Sequence, residues 1–149
     1  MTQVNGVNDE VPNHLAYLLH MATRRLRAEA ENAAAAAPPL QAAQARLLDV
    51  IPREGGRLTD LALAMRISKQ GLGQLAASLA HDGLVEMWPD PIDKRAKIIR
   101  RTAQGDDVVR MMRSAIDDVE KRCRAEVGNE QYETFLDVLR AFSGVGGQS

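Results

Sequence analysis

From residue 13 the chain takes up a helical rhythm, with Leu15, Leu18, Leu19, Ala22 and Leu26 recurring at three- and four-residue steps. The alanine run Ala33–Ala37 extends this helix, and Pro38-Pro39 ends it. A second helix is expected over about 40–52, with Leu40, Ala43, Leu47, Leu48 and Ile51 on one side and Gly55-Gly56 closing it. Thr59 is a candidate N-cap for a short helix ending near Met65. Arg66-Ile67 then makes a tight turn, and Ser68 caps a helix over 69–82 with Leu72, Leu75 and Leu79 on its apolar side. Gly83 stands where a helix C-cap glycine belongs. The period then changes to two strand-like runs, 84–88 and 97–101, joined by a loop that Pro89, Asp90 and Pro91 open. Thr102 caps a long helix over 103–127, striped by Val108, Met112, Ala115, Ile116, Val119 and Cys123. Gly128 ends it, and Asn129 caps a last helix carrying Tyr132, Phe135, Leu136, Leu139 and Phe142. Residues 1–12 and the Gly/Ser-rich 143–149 are expected as flexible tails.

This order of elements predicts a mainly α protein with a small β-hairpin. Two helices joined by a three- to four-residue turn form a helix-turn-helix candidate. The hairpin directly after them concentrates Lys94, Arg95 and Lys97 at its tip, as the wing of a winged helix-turn-helix does. The reading lobe is then 38–102, flanked by an N-terminal helix (13–37) and two C-terminal helices (103–142). The stripes of these flanking helices must be buried. The small lobe leaves them only each other or a second copy, so they are read as dimerisation helices. A two-fold dimer would also set two reading helices about 34 Å apart, one turn of DNA.

Charge sharpens this picture. The net charge of −1 argues at first against a nucleic-acid partner. Its distribution does not: residues 57–102 hold eight bases against five acids, between ends of net −1 and −3. Screening makes the local excess the relevant one for phosphate. Aromatics are only 3%, which favours helices over a β-sandwich. The single cysteine excludes an intrachain disulfide and fits a reducing cytoplasm. No apolar run is long enough for a membrane span, and no secretory signal pattern opens the chain.

The motifs resemble those of the MarR family of bacterial transcription regulators. Leu58-Thr-Asp-Leu-Ala62 looks like the family's first reading-lobe helix, and Ile67-Ser68-Lys69-Gln70 like the start of its recognition helix. Gly83-Leu84-Val85-Glu86 looks like the entry to its wing, Asp93-Lys94-Arg95 like the wing motif, and Thr102-Ala-Gln-Gly105 like the exit. The resemblance implies a winged-helix homodimer on pseudo-palindromic double-stranded promoter DNA, usually a repressor. It also implies release by a small, often phenolic, effector. Four positions depart from the family pattern: Arg66 at a turn position where many members have glycine, Gly71 and Gly73 within the recognition helix, Gln74 in place of an arginine, and Arg101 in place of an apolar residue.

On a helix at 100° per residue, Gln70, Gly73, Gln74 and Ala77 lie opposite the leucines and are the candidate base readers. Gln can pair with adenine, alanine can touch a thymine methyl, and Gly73 allows close approach. Ser68 and Lys69, at the helix N-terminus, are placed for phosphate. In the wing, Arg95 suits a narrow minor groove, Lys94 and Lys97 suit phosphates, and Asp93 pairs with Arg95 to brace the tip. His14, Tyr17, Leu18 and Met21 of the first helix are candidate effector contacts, and equally candidate core or dimer contacts. Cys123 is read as a buried structural thiol. No cofactor, metal site or nucleophile motif appears, and no enzyme is expected. Two alternatives stay open: a winged-helix protein-interaction module without specific DNA binding, and a metal- or redox-gated regulator.

Overall fold

The computed structural model describes residues 12–144. The tails expected at 1–12 and 143–149 therefore lie almost wholly outside the described residues. In chain order the elements are α1 (Leu15–Ala33), α2 (Ala42–Val50), β1 (Gly56–Arg57), α3 (Leu58–Met65), α4 (Lys69–His81), β2 (Val85–Pro89), β3 (Lys97–Arg101), α5 (Ala103–Val127) and α6 (Asn129–Ser143). They form two compact units, one of Ala34–Ser114 and one from the chain on either side of it.

The central unit is the winged helix-turn-helix. Its core gathers the apolar stripes of α2, α3 and α4 with Leu84, Val85, Ile99, Val108 and Val109. Leu47, Leu48, Leu72, Leu79 and Ile99 are completely buried, as their helical and strand spacing requires. The expected hairpin is there, with β2 and β3 antiparallel from Val85 opposite Arg101 to Pro89 opposite Lys97. A third strand was not expected. Gly56 and Arg57 pair with Ile99 and Ile98, giving the order β1-β3-β2. Gly55-Gly56, read as the close of a helix, instead turns the chain into that strand, with Gly55 at φ 95°.

Several ends differ from expectation by a cap. α1 stops at Ala33 rather than running to 37, because the residue before a proline avoids the helical region and Ala37 turns back onto Ala34. α2 spans Ala42–Val50 rather than 40–52, with Gln41 at its N-cap. Thr59 is not a cap: α3 begins at Leu58 with Arg57 before it. Gly128, not Asn129, is the N-cap of α6, and the Asn129 side chain instead accepts from Arg124 at 3.1 Å. Ser143, expected in the tail, closes α6.

Arg66 takes the left-handed conformation (φ 55°, ψ 44°) at the C-cap of α3. It is the one described non-glycine residue with positive φ. A Cβ in that region costs roughly 1 kcal/mol, which glycine does not pay. Arg66→Gly should therefore raise thermal stability, and a chemical denaturation curve would show the midpoint moving up by about that free energy. An unchanged or lower midpoint would refute the strain.

Arg101 explains its own departure from an apolar residue. Its side chain is nearly buried, and its Nη1 donates to the carbonyls of Leu48 and Ile51 while Nε donates to Asp106 at 2.7 Å. It satisfies carbonyls at the end of α2 that helix geometry leaves without partners.

The second unit contains α1, the later part of α5, and α6. No residue of α1 is buried. Leu15, Leu18, Met21 and Leu26 stand exposed on it, as do Phe135, Val138 and Phe142 on α6. Arg25 bonds Glu29 at 2.8 Å and Glu126 at 2.6 Å, and Arg122 pairs with Glu29 at 3.4 Å, so ion pairs tie α1 to α5. The Arg25 guanidinium holds both carboxyls below their usual range. Tyr132 is buried under the Arg124 guanidinium, 4.4 Å from the ring centre, and burial pushes its phenol pKa up. Cys123 is half-buried, not fully buried as expected.

Candidate nucleic-acid interface

The candidate reading helix α4 starts from Ser68, whose Oγ accepts the Gly71 N–H at 3.0 Å. That capping bond leaves the Ser68 hydroxyl hydrogen free to donate outward. A Cβ at Gly71 would stand 3.1 Å from the Ser68 oxygen, a tight contact. Leu72, Ala76 and Leu79 are buried against the core, so the opposite side of α4 faces water. Ser68, Lys69, Gln70, Gln74 and Ala77 are all exposed there, and Gly73 is half-exposed between them.

Gly73 has no structural reason to be glycine. A Cβ added to it would meet nothing within 4 Å. A glycine inside a helix costs roughly 0.8–1 kcal/mol against alanine. Gly73→Ala should therefore stabilise the fold by about that amount. If Gly73 serves close approach to a ligand, the same variant should also bind DNA more weakly. Thermal melts and binding titrations on one preparation check both signs, and tighter or unchanged binding would remove Gly73 from the interface.

The wing tip is built by hydrogen bonds within residues 90–96. The Ala96 N–H donates to the Asp93 carbonyl and the Asp90 N–H to the Ala96 carbonyl, each at 2.9 Å. Lys94 and Arg95 are thereby the two central residues of a tight turn. Asp93 was expected to pair with the Arg95 side chain; instead its Oδ1 accepts the Arg95 backbone N–H at 3.1 Å. A turn-forming Asp bonds the backbone two residues on, which leaves the longer cation free.

A second brace was missed by sequence reading. Asp90 is only 2% exposed. Its Oδ1 accepts from Ile92 N–H at 2.8 Å and from Asp93 N–H at 3.4 Å, and its Oδ2 lies 2.7 Å from Arg57 Nε. These bonds, the Ile92 N–H foremost, hold its pKa below the ordinary carboxylate value against the cost of burial. The Asp-Pro-Ile-Asp run is a legible turn signal. Its ion partner, on a strand more than thirty residues earlier, is not.

From residue 57 onward, charge pairing separates the cations into two groups; before it, Arg24, Arg27, Arg46 and Arg53 form no ion pair among the described residues. All six bases after residue 102 form ion pairs: Arg110, Arg113, Lys121, Arg122, Arg124 and Arg140. In the reading lobe, Arg57 and Arg101 are paired and Arg100 donates to the Glu54 carbonyl. Arg66, Lys69, Lys94, Arg95 and Lys97 are exposed, and among the described residues no side-chain partner neutralises them. Counting Arg100, whose carbonyl partner carries no charge, six of the eight bases of the middle segment have no acidic partner among the described residues, and three of them cluster at the wing tip.

His14, Tyr17, Leu18 and Met21 lie on or beside the first turns of α1. His14 has a local function: its Nδ1 accepts the Tyr17 N–H at 3.3 Å, and the two rings meet edge-on at 6.2 Å. Leu18 and Met21 are exposed and Tyr17 is half-buried. Among the described residues no three His, Cys, Asp or Glu side chains are grouped to hold a metal ion. No described helix is long and apolar enough to cross a membrane.

No family model matches the sequence, and no curated protein matches it. Solved structures do match the fold. The S. aureus MepR–DNA complex superposes with a TM-score of 0.73 at 20% identity, over 90% of this chain and 100% of that one. A MarR-family transcriptional regulator from Rhodococcus sp. RHA1 gives 0.70 at 18% identity, over 93% and 96%. S. aureus MepR bound to ethidium bromide gives 0.60 at 20% identity, over 89% and 96%. At these identities the likeness establishes the fold, which is the one the sequence motifs implied.

Proposed function

We propose that this chain is a sequence-specific DNA-binding transcription regulator that works as a homodimer. The observation that carries the reading is the set of unpaired cations on the wing and at the start of α4, beside a solvent-facing row of Gln70, Gly73, Gln74 and Ala77. Lys94, Lys97 and Lys69 would neutralise phosphates, Ser68 would donate to one, and Arg95 would enter the minor groove. The glutamines and Ala77 would read base edges in the major groove. A neighbour of the same fold was solved on DNA, which supports the same use of this lobe.

The exposed apolar stripes of α1 and α6 support the dimer. A nineteen-residue helix with no buried residue, and leucines exposed along it, is not stable by itself in water. A second copy covering these stripes would supply the missing burial and the two-fold axis that a pseudo-palindromic operator needs. We read the regulator as a cytoplasmic repressor released by a small effector of the phenolic kind. A neighbour of this fold solved with ethidium bromide supports a small aromatic ligand, and His14, Tyr17, Leu18 and Met21 are the candidate contacts.

The test is a titration of the protein against the DNA flanking its own gene at several salt concentrations. Specific binding should fall linearly in log K against log salt, with a slope near −0.9 per phosphate neutralised. Binding that ignores salt, or that does not distinguish this DNA from random duplex, would overturn the reading in favour of a protein-interaction module.

A further inference from the structure

We propose that Ile92 is an apolar groove contact of the wing, supplying the part of DNA binding that salt does not weaken. This inference rests on the DNA-binding reading above. Ile92 is 89% exposed, at the tip of the hairpin and two residues from Lys94. A single exposed apolar side chain is ordinary in itself. What sets Ile92 apart is the way its backbone is held. Asp90 is a carboxylate sequestered from water, and its Oδ1 accepts the Ile92 N–H at 2.8 Å. Pro91 fixes the dihedral just before it. Burying a carboxylate is costly unless it is paired and hydrogen-bonded, and Asp90 offsets that cost with bonds that fix the backbone of Ile92 and Asp93.

Presenting cations does not need this rigidity, because Lys94 and Arg95 have long stems that find phosphates by themselves. A β-branched side chain has no such reach. It is short and stiff at χ1, so the backbone alone decides where it goes. The tip therefore presents one fixed apolar group among three unpaired cations. The cations bring the wing to the phosphates, and Ile92 then loses water against the sugar walls and base edges of the groove. Apolar tip residues are suited to that environment, whose walls are largely carbon.

The two contributions differ in salt dependence. Counterion release makes the cation part steep in salt, whereas apolar burial is nearly indifferent to it. The experiment uses a duplex that the wild-type chain selects from a randomised pool, with affinity measured across salt by fluorescence anisotropy of the labelled duplex. Ile92→Ser should lower affinity about tenfold or more at every salt concentration, leaving the slope unchanged. Ile92→Lys should bind more weakly than wild type at high salt despite its added charge. Thermal melts of both variants should match wild type, since this side chain is outside the core. Trp88, the only tryptophan of the chain, is itself half-exposed on β2 and gives an independent fluorescence signal that the wing has docked. Ile92→Ser within twofold of wild type at all salts, or Ile92→Lys tighter throughout, would overturn the proposal. If Arg95→Ala weakens binding while Ile92→Ser does not, only the role of Ile92 fails. If no duplex is enriched from the pool, the DNA-binding reading fails and takes this one with it.

Discussion

Gly105→Ala should destabilise the reading lobe by roughly 3–5 kcal/mol, lowering the melting temperature by about 10 °C or more. Helix propensity points the other way, since alanine is favoured over glycine by about 1 kcal/mol inside a helix. Packing decides the sign. A Cβ built on Gly105 would overlap the Leu84 carbonyl oxygen, and would also lie 3.4 Å from the Arg101 Cβ. The oxygen is backbone and cannot swing aside. It accepts the Thr102 N–H at 3.1 Å, while the Thr102 hydroxyl donates to the Gly83 carbonyl at 2.7 Å and accepts the Gly105 N–H at 3.0 Å. Relieving the clash would mean pulling the first turn of α5 away from this lattice and from the core around Val108. Gly105→Ala and Gly73→Ala thus form a matched pair: the same substitution, each in a helix, with opposite expected signs. A pair of melts reads both, and a Gly105→Ala protein as stable as wild type would refute the packing argument.

The features legible in the sequence were those whose cause is local. Ser68 and Thr102 cap helices because a hydroxyl can reach an N–H three residues on, and Gly83 bends to φ 72° after α4 as a C-cap glycine should. The leucine stripes of α2 and α4 became the core because helical spacing alone puts them on one side. What could not be read had a distant cause. β1 is too short for alternation and exists only because Ile98 and Ile99 offer it an edge. Arg101 occupies an apolar-looking position because its guanidinium lands on the carbonyls ending α2. Asp90 looked like turn chemistry until Arg57 came alongside it. In the candidate site, the sequence placed the wing cations at the tip but could not tell which cations of the chain were already neutralised. Composition counted them all equally, and the fold pairs every base of α5 and α6.

That distinction gives the second large effect. Arg95→Ala should weaken operator binding by about 1–3 kcal/mol per protomer, and a dimer loses the contact twice. With Lys69, Lys94 and Lys97 of each protomer neutralising one phosphate each, and Arg95 displacing one more counterion from the negative potential of the minor groove, the wild-type slope of log K against log salt would be about −7, and the variant's about −5. Stability should not change, because the Arg95 side chain is exposed and has no partner to lose; only its backbone N–H is used, by Asp93, and alanine keeps that bond. Arg110→Ala is the control. It removes the same charge from an exposed position, but Arg110 is already paired with Asp107, so the slope should stay near the wild-type value. Gel-shift titrations of the three proteins at four salt concentrations separate the cases. Equal slopes for wild type and Arg95→Ala would show that Arg95 displaces no counterion from the DNA. Equal shifts for both variants would show that net charge, not the unpaired wing cations, governs binding. A selective loss at Arg95 would locate the electrostatic anchor on the wing, as a reading helix with Lys69 as its sole lysine or arginine requires.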